Sequence, residues 1–180
     1  QYYRIILFFC ISFNLLCSEV LEPADAKNKI VEITDENKKT RIYHHLRKND
    51  TLIYNNLEDF IDYFSGNYGL TVISRAKISP NSNSNKTFAI KLTVNEDGIE
   101  REKVLKYKKS LSLAKKTSKS GFNYTKAGFW FEKIEDINNT EIKVELVDGS
   151  PELDVRVLID KINLRKDKKD INPVNKEKSI

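Results

Sequence analysis

Side chains that could support catalysis or bind a metal ion are scarce in this chain. His44 and His45 are the two histidines among its 180 residues. Adjacent side chains on a strand point to opposite faces of the sheet, so this pair cannot easily bind one metal ion. Both cysteines, Cys10 and Cys17, lie in an N-terminal apolar run, and no further histidine completes a metal site. The sequence therefore predicts no metal site, and it places the two histidines on the surface near a turn.

Acidic side chains that could act as general acids or bases are grouped on one predicted helix. Glu58, Asp59 and Asp62 lie there. The first two have a simpler explanation, because carboxylates are favourable in the positive first turn of a helix. The sequence contains no glycine-rich phosphate loop, nucleophile elbow or zinc signature. The prediction is a protein with no enzymatic activity and no cofactor.

Lysines are concentrated in one segment. Residues 101–126 have a net charge of +8, whereas residues 127–160 have a net charge of −6. The basic segment indicates either a patch for a polyanion, such as a glycosaminoglycan or nucleic acid, or the solvated face of a strand and loop. A third interpretation is intramolecular, with the basic and acidic segments on facing strands. Arginine, the better phosphate ligand, is nearly absent from the basic segment, so we expect no nucleic acid partner. The candidate polyanion ligands are Lys106, Lys108, Lys109, Lys115, Lys116 and Lys119.

Alternating apolar residues predict a mostly β fold around these side chains. The fold class is an antiparallel sheet or sandwich of about 7–9 strands with one short helix, at about residues 56–65. The predicted strands span residues 29–34, 40–46, 51–55, 70–78, 86–94, 100–110, 128–134, 141–147 and 152–160.

Three pairs of consecutive strands are predicted to form hairpins. The first pair is 40–46 with 51–55, and the second is joined by a turn at residues 95–98. The third pair, 141–147 with 152–160, has the clearest alternation in the chain.

Residues 122–134 contain the only tryptophan, Trp130, among three phenylalanines. As a strand, this stretch places Phe129 and Phe131 on one face with Lys133, and Trp130 on the other. We predict that the two phenylalanines belong to the core. Trp130 then lies either beneath the predicted helix or at the surface, where it is a candidate binding residue.

The two ends of the chain differ from its middle. Residues 1–18 are interpreted as a signal peptide without its initiating methionine, because their apolar run is too short to span a bilayer securely. Residues 19–28 then form a polar leader, residues 29–160 a single β-rich domain, and residues 161–180 a disordered, charged tail. The cleaved domain is predicted to be secreted, without cysteines and without a stable membrane span. Secretion makes Asn49, Asn85 and Asn138 candidates for glycosylation.

The residues YTKAGFWFEKI at 124–134 are followed by Thr140, Glu141 and Ile142 and by a strand at residues 153–158. This arrangement resembles the tyrosine–threonine…lysine–x–glycine–aromatic–x–phenylalanine–x–lysine–valine pattern of FAINT domains, which are repeats of secreted and surface proteins in Theileria and related piroplasm parasites. The similarity covers residues 90–160. It implies export toward a host cell, no enzymatic role and unused glycosylation sequons.

The leading hypothesis is a secreted, non-enzymatic binding domain with an unknown protein partner, exported toward a host if the resemblance holds. The segment 101–126 is its best candidate contact surface. One alternative is a polyanion-binding module that uses the same lysines. Another is a small carrier of a lipid or other ligand, whose sheet would close around an apolar pocket.

Overall fold

The structure, a computed structural model, describes residues 19–25, 30–35, 37–55, 57, 67–78, 87–116 and 123–162. The predicted signal peptide, the tail beyond residue 162, the predicted helix apart from Leu57, and the candidates Asn85 and Lys119 lie outside these ranges.

Twelve strands make up the regular structure of the described residues, and the prediction of a mostly β protein is confirmed. Three of them, β1, β4 and β9, have four residues or fewer. The strands are β1 (Glu19–Leu21), β2 (Ile30–Thr34), β3 (Thr40–Leu46), β4 (Thr51–Tyr54), β5 (Tyr68–Ile78), β6 (Thr87–Glu96), β7 (Ile99–Lys108), β8 (Leu111–Lys116), β9 (Asn123–Thr125), β10 (Gly128–Ile134), β11 (Thr140–Leu146) and β12 (Leu153–Lys161).

The strands form two antiparallel sheets that pack as a sandwich, as predicted. The first sheet has the order β1-β12-β3-β2-β8-β9-β5-β10, and the second has the order β4-β11-β6-β7. The main core lies between the two sheets. β6 contributes Phe88, Ile90, Leu92 and Val94 to it, so this strand buries the face that its alternation predicts.

Part of the first sheet closes on itself. β5 pairs with β12, and the pairing continues through β3, β2, β8 and β9 back to β5. β1 and β10 pair with the remaining lengths of β12 and β5. The six strands form a ring with a second, smaller core. Its apolar members are Val31, Ile33, Tyr43, Ile73, Tyr124 and Leu158.

β5 and β12 form the wall that separates the two cores. Val72 and Ala76 of β5 are buried in the main core, whereas Ile73 belongs to the core of the ring. On β12, Val157 is buried in the main core and Leu158 belongs to the core of the ring. Both faces of these strands are therefore covered, which accounts for their nearly continuous burial.

Two of the three predicted hairpins are wrong, because their strands lie in different sheets. β3 and β12 are in the first sheet, whereas β4 and β11 are in the second. The connections at residues 47–50 and 147–152 carry the chain across the sandwich. Alternation cannot distinguish the two arrangements, since each strand has one buried face in either case. The hairpin of β6 and β7 is confirmed, with Asp97 and Gly98 at positive φ in its turn.

The segment predicted to be a polar leader begins with a strand of the first sheet. β1 pairs with β12, and its Leu21 is buried in the main core. The backbone N–H of Ala24 donates a hydrogen bond of 2.7 Å to the carbonyl of Ile53 in the second sheet. Residues 19–25 are thus attached to both layers.

Both histidines are buried, so their predicted surface position is wrong. His44 and His45 lie on opposite faces of β3, and both faces are covered by other parts of the structure. His44 shares its face with Leu46 of the main core. Burial lowers the pKa of His44, and the negative charge of Glu22 only partly opposes this effect.

Replacing His44 by leucine should flatten the pH dependence of stability. The pKa of His44 in the folded protein lies below the free value of 6.5, so the unfolded chain binds the proton more readily. The native state therefore loses stability as the pH falls through this free value, and retains it at higher pH. Urea unfolding from about pH 8 to about pH 5 should show a smaller loss of stability in His44→Leu than in the parent. Equal losses in the two proteins would contradict the assignment of this pH dependence to His44.

Candidate functional site

β10 lies at one edge of the first sheet, and the residues on its inner face are enclosed by the sandwich. Ile134 is fully buried and Glu132 is 8% exposed, while Trp130 is half-buried against the main core. Among the described strands, β10 pairs only with β5. Its other edge therefore has no strand partner in the part of the chain that the structure describes.

The prediction that Phe129 and Phe131 belong to the core is wrong. Phe129 is 63% exposed and Phe131 is 48% exposed. Alternation divides a strand into two faces, but it does not say which face turns inward when both carry large apolar residues. Because both phenylalanines lie on one face of the strand, the sequence predicted that this face is buried. Glu132 can occupy the inner face because it has cationic partners there.

Those partners come from β7, and together they form what we call the edge cluster: Arg101, Lys103, Trp130 and Glu132. The carboxylate of Glu132 lies 3.3 Å from Lys103 Nζ and 3.6 Å from Arg101 Nη1. Lys103 Nζ also lies 4.9 Å from the centre of the Trp130 ring, a cation–π distance. Trp130 Nε1 donates a hydrogen bond of 3.4 Å to Glu132. Trp130 therefore connects the two sheets rather than offering a free surface.

Glu96 extends the edge cluster to the next turn. It accepts a hydrogen bond of 2.5 Å from Arg101, and its other oxygen accepts from the backbone N–H groups of Glu135 and Asp136. Arg101 and Lys103 of the segment 101–126 thus neutralise Glu132 of the segment 127–160, and Arg101 also pairs with Glu96. This contact supports the intramolecular interpretation of the two charged segments.

The outer face of β10 carries what we call the phenylalanine patch, which consists of Phe129 and Phe131. Two residues along a strand are separated by roughly 7 Å, so the rings lie side by side on one face. The Phe131 ring packs over Gly69 of β5, beside Ile162. A Cβ at residue 69 would lie 2.5 Å from Cε2 of this ring. The missing side chain at Gly69 is therefore what lets the ring lie across β5.

The five candidate lysines within the described ranges are spread over both sheets and the connection between β7 and β8. Lys106 and Lys108 are exposed on β7 in the second sheet, whereas Lys115 and Lys116 belong to β8 in the first sheet. Lys109 lines a separate cleft, and Lys119 lies outside the described residues.

The outer face of the second sheet, which carries Lys106 and Lys108, contains charges of both signs. Lys91 Nζ lies 3.0 Å from Glu102 and 3.4 Å from Glu145. These contacts raise the pKa of Lys91, chiefly through the hydrogen bond to Glu102. A face of this kind attracts a polyanion less than a run of lysines alone would.

The cleft at Lys109 has a volume of about 410 Å³ and lies between the β3–β4 and β11–β12 connections. Lys48, Asp50 and Asp148 line it, so its wall is polar and of mixed charge. Asn49 also lines the cleft and is exposed, with a φ of 66°. Asn138, the other described glycosylation candidate, is exposed in the connection between β10 and β11. This cleft gives no support to a carrier of apolar ligands.

An ionic cluster around His45 was not predicted from the sequence. His45 Nδ1 lies 2.7 Å from Asp154, and Nε2 lies 3.2 Å from Glu152. Lys77 Nζ lies 3.3 Å from Nδ1. Both ring nitrogens of His45 therefore have partners inside the protein. His45 and Asp154 are more than a hundred positions apart in the sequence. No local sequence pattern could therefore predict this cluster.

In the part of the chain that the structure describes, no group of three or more histidine, cysteine, aspartate or glutamate side chains could hold a metal ion. The same residues include no helix long and apolar enough to cross a membrane.

Two of the solved structures that this chain resembles contain CBM22 modules. One is the N-terminal endo-1,4-β-D-xylanase 10B of Clostridium thermocellum, with its CBM22-1 and GH10 modules in complex with xylohexaose. It is 11% identical, with a TM-score of 0.37, over 82% of this chain and 28% of that chain. The other is a xylan-binding domain from CBM 22, which is 12% identical, with a TM-score of 0.35, over 80% of this chain and 93% of that chain. This chain thus spans less than a third of the xylanase chain. No family model matches the chain, and no curated protein matches its sequence. Structural similarity at this level carries no information about a ligand.

Alanine substitutions at Gly128 and Gly69 should have different effects. A Cβ at Gly128 would lie 2.6 Å from Cγ of Tyr107, at the base of a ring that packs on the main core. A Cβ at Gly69 would meet the outer end of the exposed Phe131 ring, which can turn away, and would lie at an ordinary contact distance of 3.4 Å from Ile162 Cγ1. We expect Gly128→Ala to lower the free energy of unfolding by about 1–3 kcal/mol, and Gly69→Ala to lower it clearly less. Urea unfolding of the two variants tests this order, and equal losses would contradict it.

Replacing Glu132 by glutamine should weaken the edge cluster. The variant leaves Arg101 and Lys103 without their shared carboxylate, but both cations are partly exposed, so we expect a loss of only about 1 kcal/mol. The emission of Trp130, the only tryptophan, should shift to longer wavelength as its ring gains contact with water. Glu135→Gln is the control, since Glu135 pairs with Lys133 at the exposed surface. Unchanged emission in Glu132→Gln would argue against the cluster.

Proposed function

We propose that this chain is a secreted, non-enzymatic binding domain that contacts a protein partner through the phenylalanine patch. The observation that carries the proposal is the exposure of Phe129 and Phe131, 63% and 48%, beside each other on an edge strand. Aromatic side chains that remain in water beside one another are typical of binding sites, whereas scattered apolar residues are not.

Energetics favour a protein as the partner. Full burial of an exposed phenylalanine side chain contributes about 1.5–3 kcal/mol, and covering the exposed 63% and 48% of these rings would contribute roughly half of that for each. Aromatic residues are enriched at the centre of such interfaces.

The polyanion alternative has less support. A polyanion needs several cations in register, and the described candidate lysines are divided between two sheets and a cleft. The cation nearest the patch in sequence, Lys133, lies 3.2 Å from Glu135.

Secretion and the absence of enzymatic activity belong to the same proposal. Secretion is supported by the apolar run at residues 5–17. The resemblance to FAINT domains adds a host protein as the partner class. The lack of a phosphate loop, nucleophile elbow or zinc signature in the sequence supports a role without catalysis.

Paired substitutions on the two sheets provide the test. The double variant Phe129→Ser and Phe131→Ser removes the patch. The control, Ile99→Ser and Val104→Ser, removes two residues of β7 with similar exposure, 70% and 49%. Immobilised parent protein should enrich a partner from a host-cell extract, and direct binding to the purified partner should weaken at least about tenfold in the patch variant and remain unchanged in the control.

Two results would contradict the proposal. One is equal binding by the parent and the patch variant. The other is retention of all three proteins on heparin resin at physiological salt, with no protein partner, which would favour the polyanion alternative.

A further inference from the structure

The free edge of β10 is the least protected of the sheet edges that the described strands form. The edge strands are β1, β4, β7 and β10. β1 and β4 have only three and four residues, and six of the ten residues of β7 are charged. Short length and charged side chains both discourage another strand from pairing at an edge. β10 has seven residues and two charges, Lys133 and Glu132, and the second is neutralised inside the sandwich by Arg101 and Lys103.

Hydrogen bonds of β5 show which of its backbone groups point toward β10. In an antiparallel sheet, the N–H and C=O groups of one residue point to the same neighbouring strand, and successive residues alternate. The N–H of Ala76 donates a hydrogen bond of 3.0 Å to Oγ1 of Thr125 in β9, which pairs along the same edge of β5 as β10. On the opposite edge, the carbonyl of Asn67 accepts a hydrogen bond of 2.8 Å from the N–H of Ile162, which follows β12. Even-numbered residues of β5 therefore point toward β9 and β10, and odd-numbered residues point toward β12.

The register between the two strands extends this alternation to the backbone of β10. The even-numbered residues of β5 pair with Gly128, Trp130, Glu132 and Ile134. These residues of β10 exchange their backbone hydrogen bonds with β5. The odd-numbered residues Phe129, Phe131 and Lys133 therefore direct their N–H and C=O groups to the free edge.

The free edge thus has two binding features in the same residues. Phe129 and Phe131 direct their backbone groups along the sheet, and their exposed side chains stand on its outer face. A strand added here would form hydrogen bonds with the first and place its own outer side chains beside the second. On the inner face, its alternate side chains would approach Arg101 and Lys103, which are partly exposed. The edge therefore fits an extended segment that is apolar on one face and acidic on the other.

We propose that the protein partner binds by adding an extended segment of this kind to the free edge of β10. This inference rests on the proposed function and specifies how the phenylalanine patch is used. The backbone groups of Phe129, Phe131 and Lys133 hold the segment, and its apolar side chains cover the two rings.

Amide hydrogen exchange, followed by NMR, tests the inference. In the free protein, exchange should be fast at Phe129, Phe131 and Lys133 and slow at Trp130 and Glu132. The probe is a synthetic peptide that alternates valine with glutamate, because it has the proposed pattern. At saturation it should slow exchange at the three outward amides by at least about tenfold.

The matched control is the same peptide with N-methyl groups on its valines. Residues whose side chains lie beside the phenylalanines are the ones whose amides face β10, so N-methylation there prevents the backbone hydrogen bonds. The N-methylated peptide should leave the exchange rates unchanged.

Lys133→Pro and Lys133→Ala separate the backbone from the side chain. Proline removes the outward N–H of residue 133 and leaves the hydrogen bonds to β5 in place, whereas alanine removes only the side chain, which pairs with exposed Glu135. Binding of the peptide and of the captured partner should weaken at least about tenfold in Lys133→Pro and remain in Lys133→Ala. If Lys133→Pro does not fold, the N-methylated peptide provides the comparison.

Two results would overturn the inference. One is slow exchange at the three outward amides in the free protein, because the chain itself would then cover this edge. The other is equal binding of the two peptides, or binding of neither. If the partner binds Lys133→Pro as it binds the parent but does not bind the double serine variant of the patch, strand addition is wrong and the proposed function stands. Equal partner binding by all three proteins would contradict both.

Discussion

β5 and β12 run beside each other from the pair Ala76–Leu153 to the pair Tyr68–Lys161, and every other strand of the first sheet attaches to them directly or through a neighbour. This long antiparallel contact is the constraint on which the architecture depends. One face of the pair completes the main core, and the other closes the ring. Because the strands are covered on both sides, a polar residue on either of them is costly to bury unless it has a partner inside the protein. The buried contacts of Arg75 and Asp154 follow from this position.

On β10 a glutamate faces the interior and two phenylalanines face solvent, which is the reverse of an ordinary edge strand. The edge cluster explains this arrangement. Glu132 lies inside with two cations, so the neighbouring positions that carry Phe129 and Phe131 must lie outside. A shift of one residue would exchange the two faces. Tyr107 against Gly128 and Lys103 against Trp130 oppose such a shift from β7. The register of β10 with β5 therefore determines both the ionic contact between the sheets and the exposure of the two phenylalanines.

Local features of this chain could be predicted from its sequence, and long-range ones could not. Alternation in β6 identified its buried face, and the turn at Asp97 and Gly98 identified the one correct hairpin. The separation of β3 from β4 is not encoded in their alternation, since sheet membership depends on which distant strand completes the hydrogen bonds. The burial of His45 likewise depends on Asp154, far away in the sequence. For the candidate site, the sequence drew attention to the stretch around Trp130, but only its contacts with Lys103 and Glu132 decide which side is exposed.

The position of β12 at the C-terminal end of the described strands has a consequence for the order of folding. β2–β3, β6–β7 and β8–β9 can pair soon after each leaves the ribosome, because their partners are close in sequence. Neither core can close until β12 is available, since it completes the wall between them. Contacts over such long separations form slowly, because a long loop must be ordered before they stabilise the chain. The domain is therefore expected to stay open through most of its synthesis and to acquire both cores in one late, cooperative step.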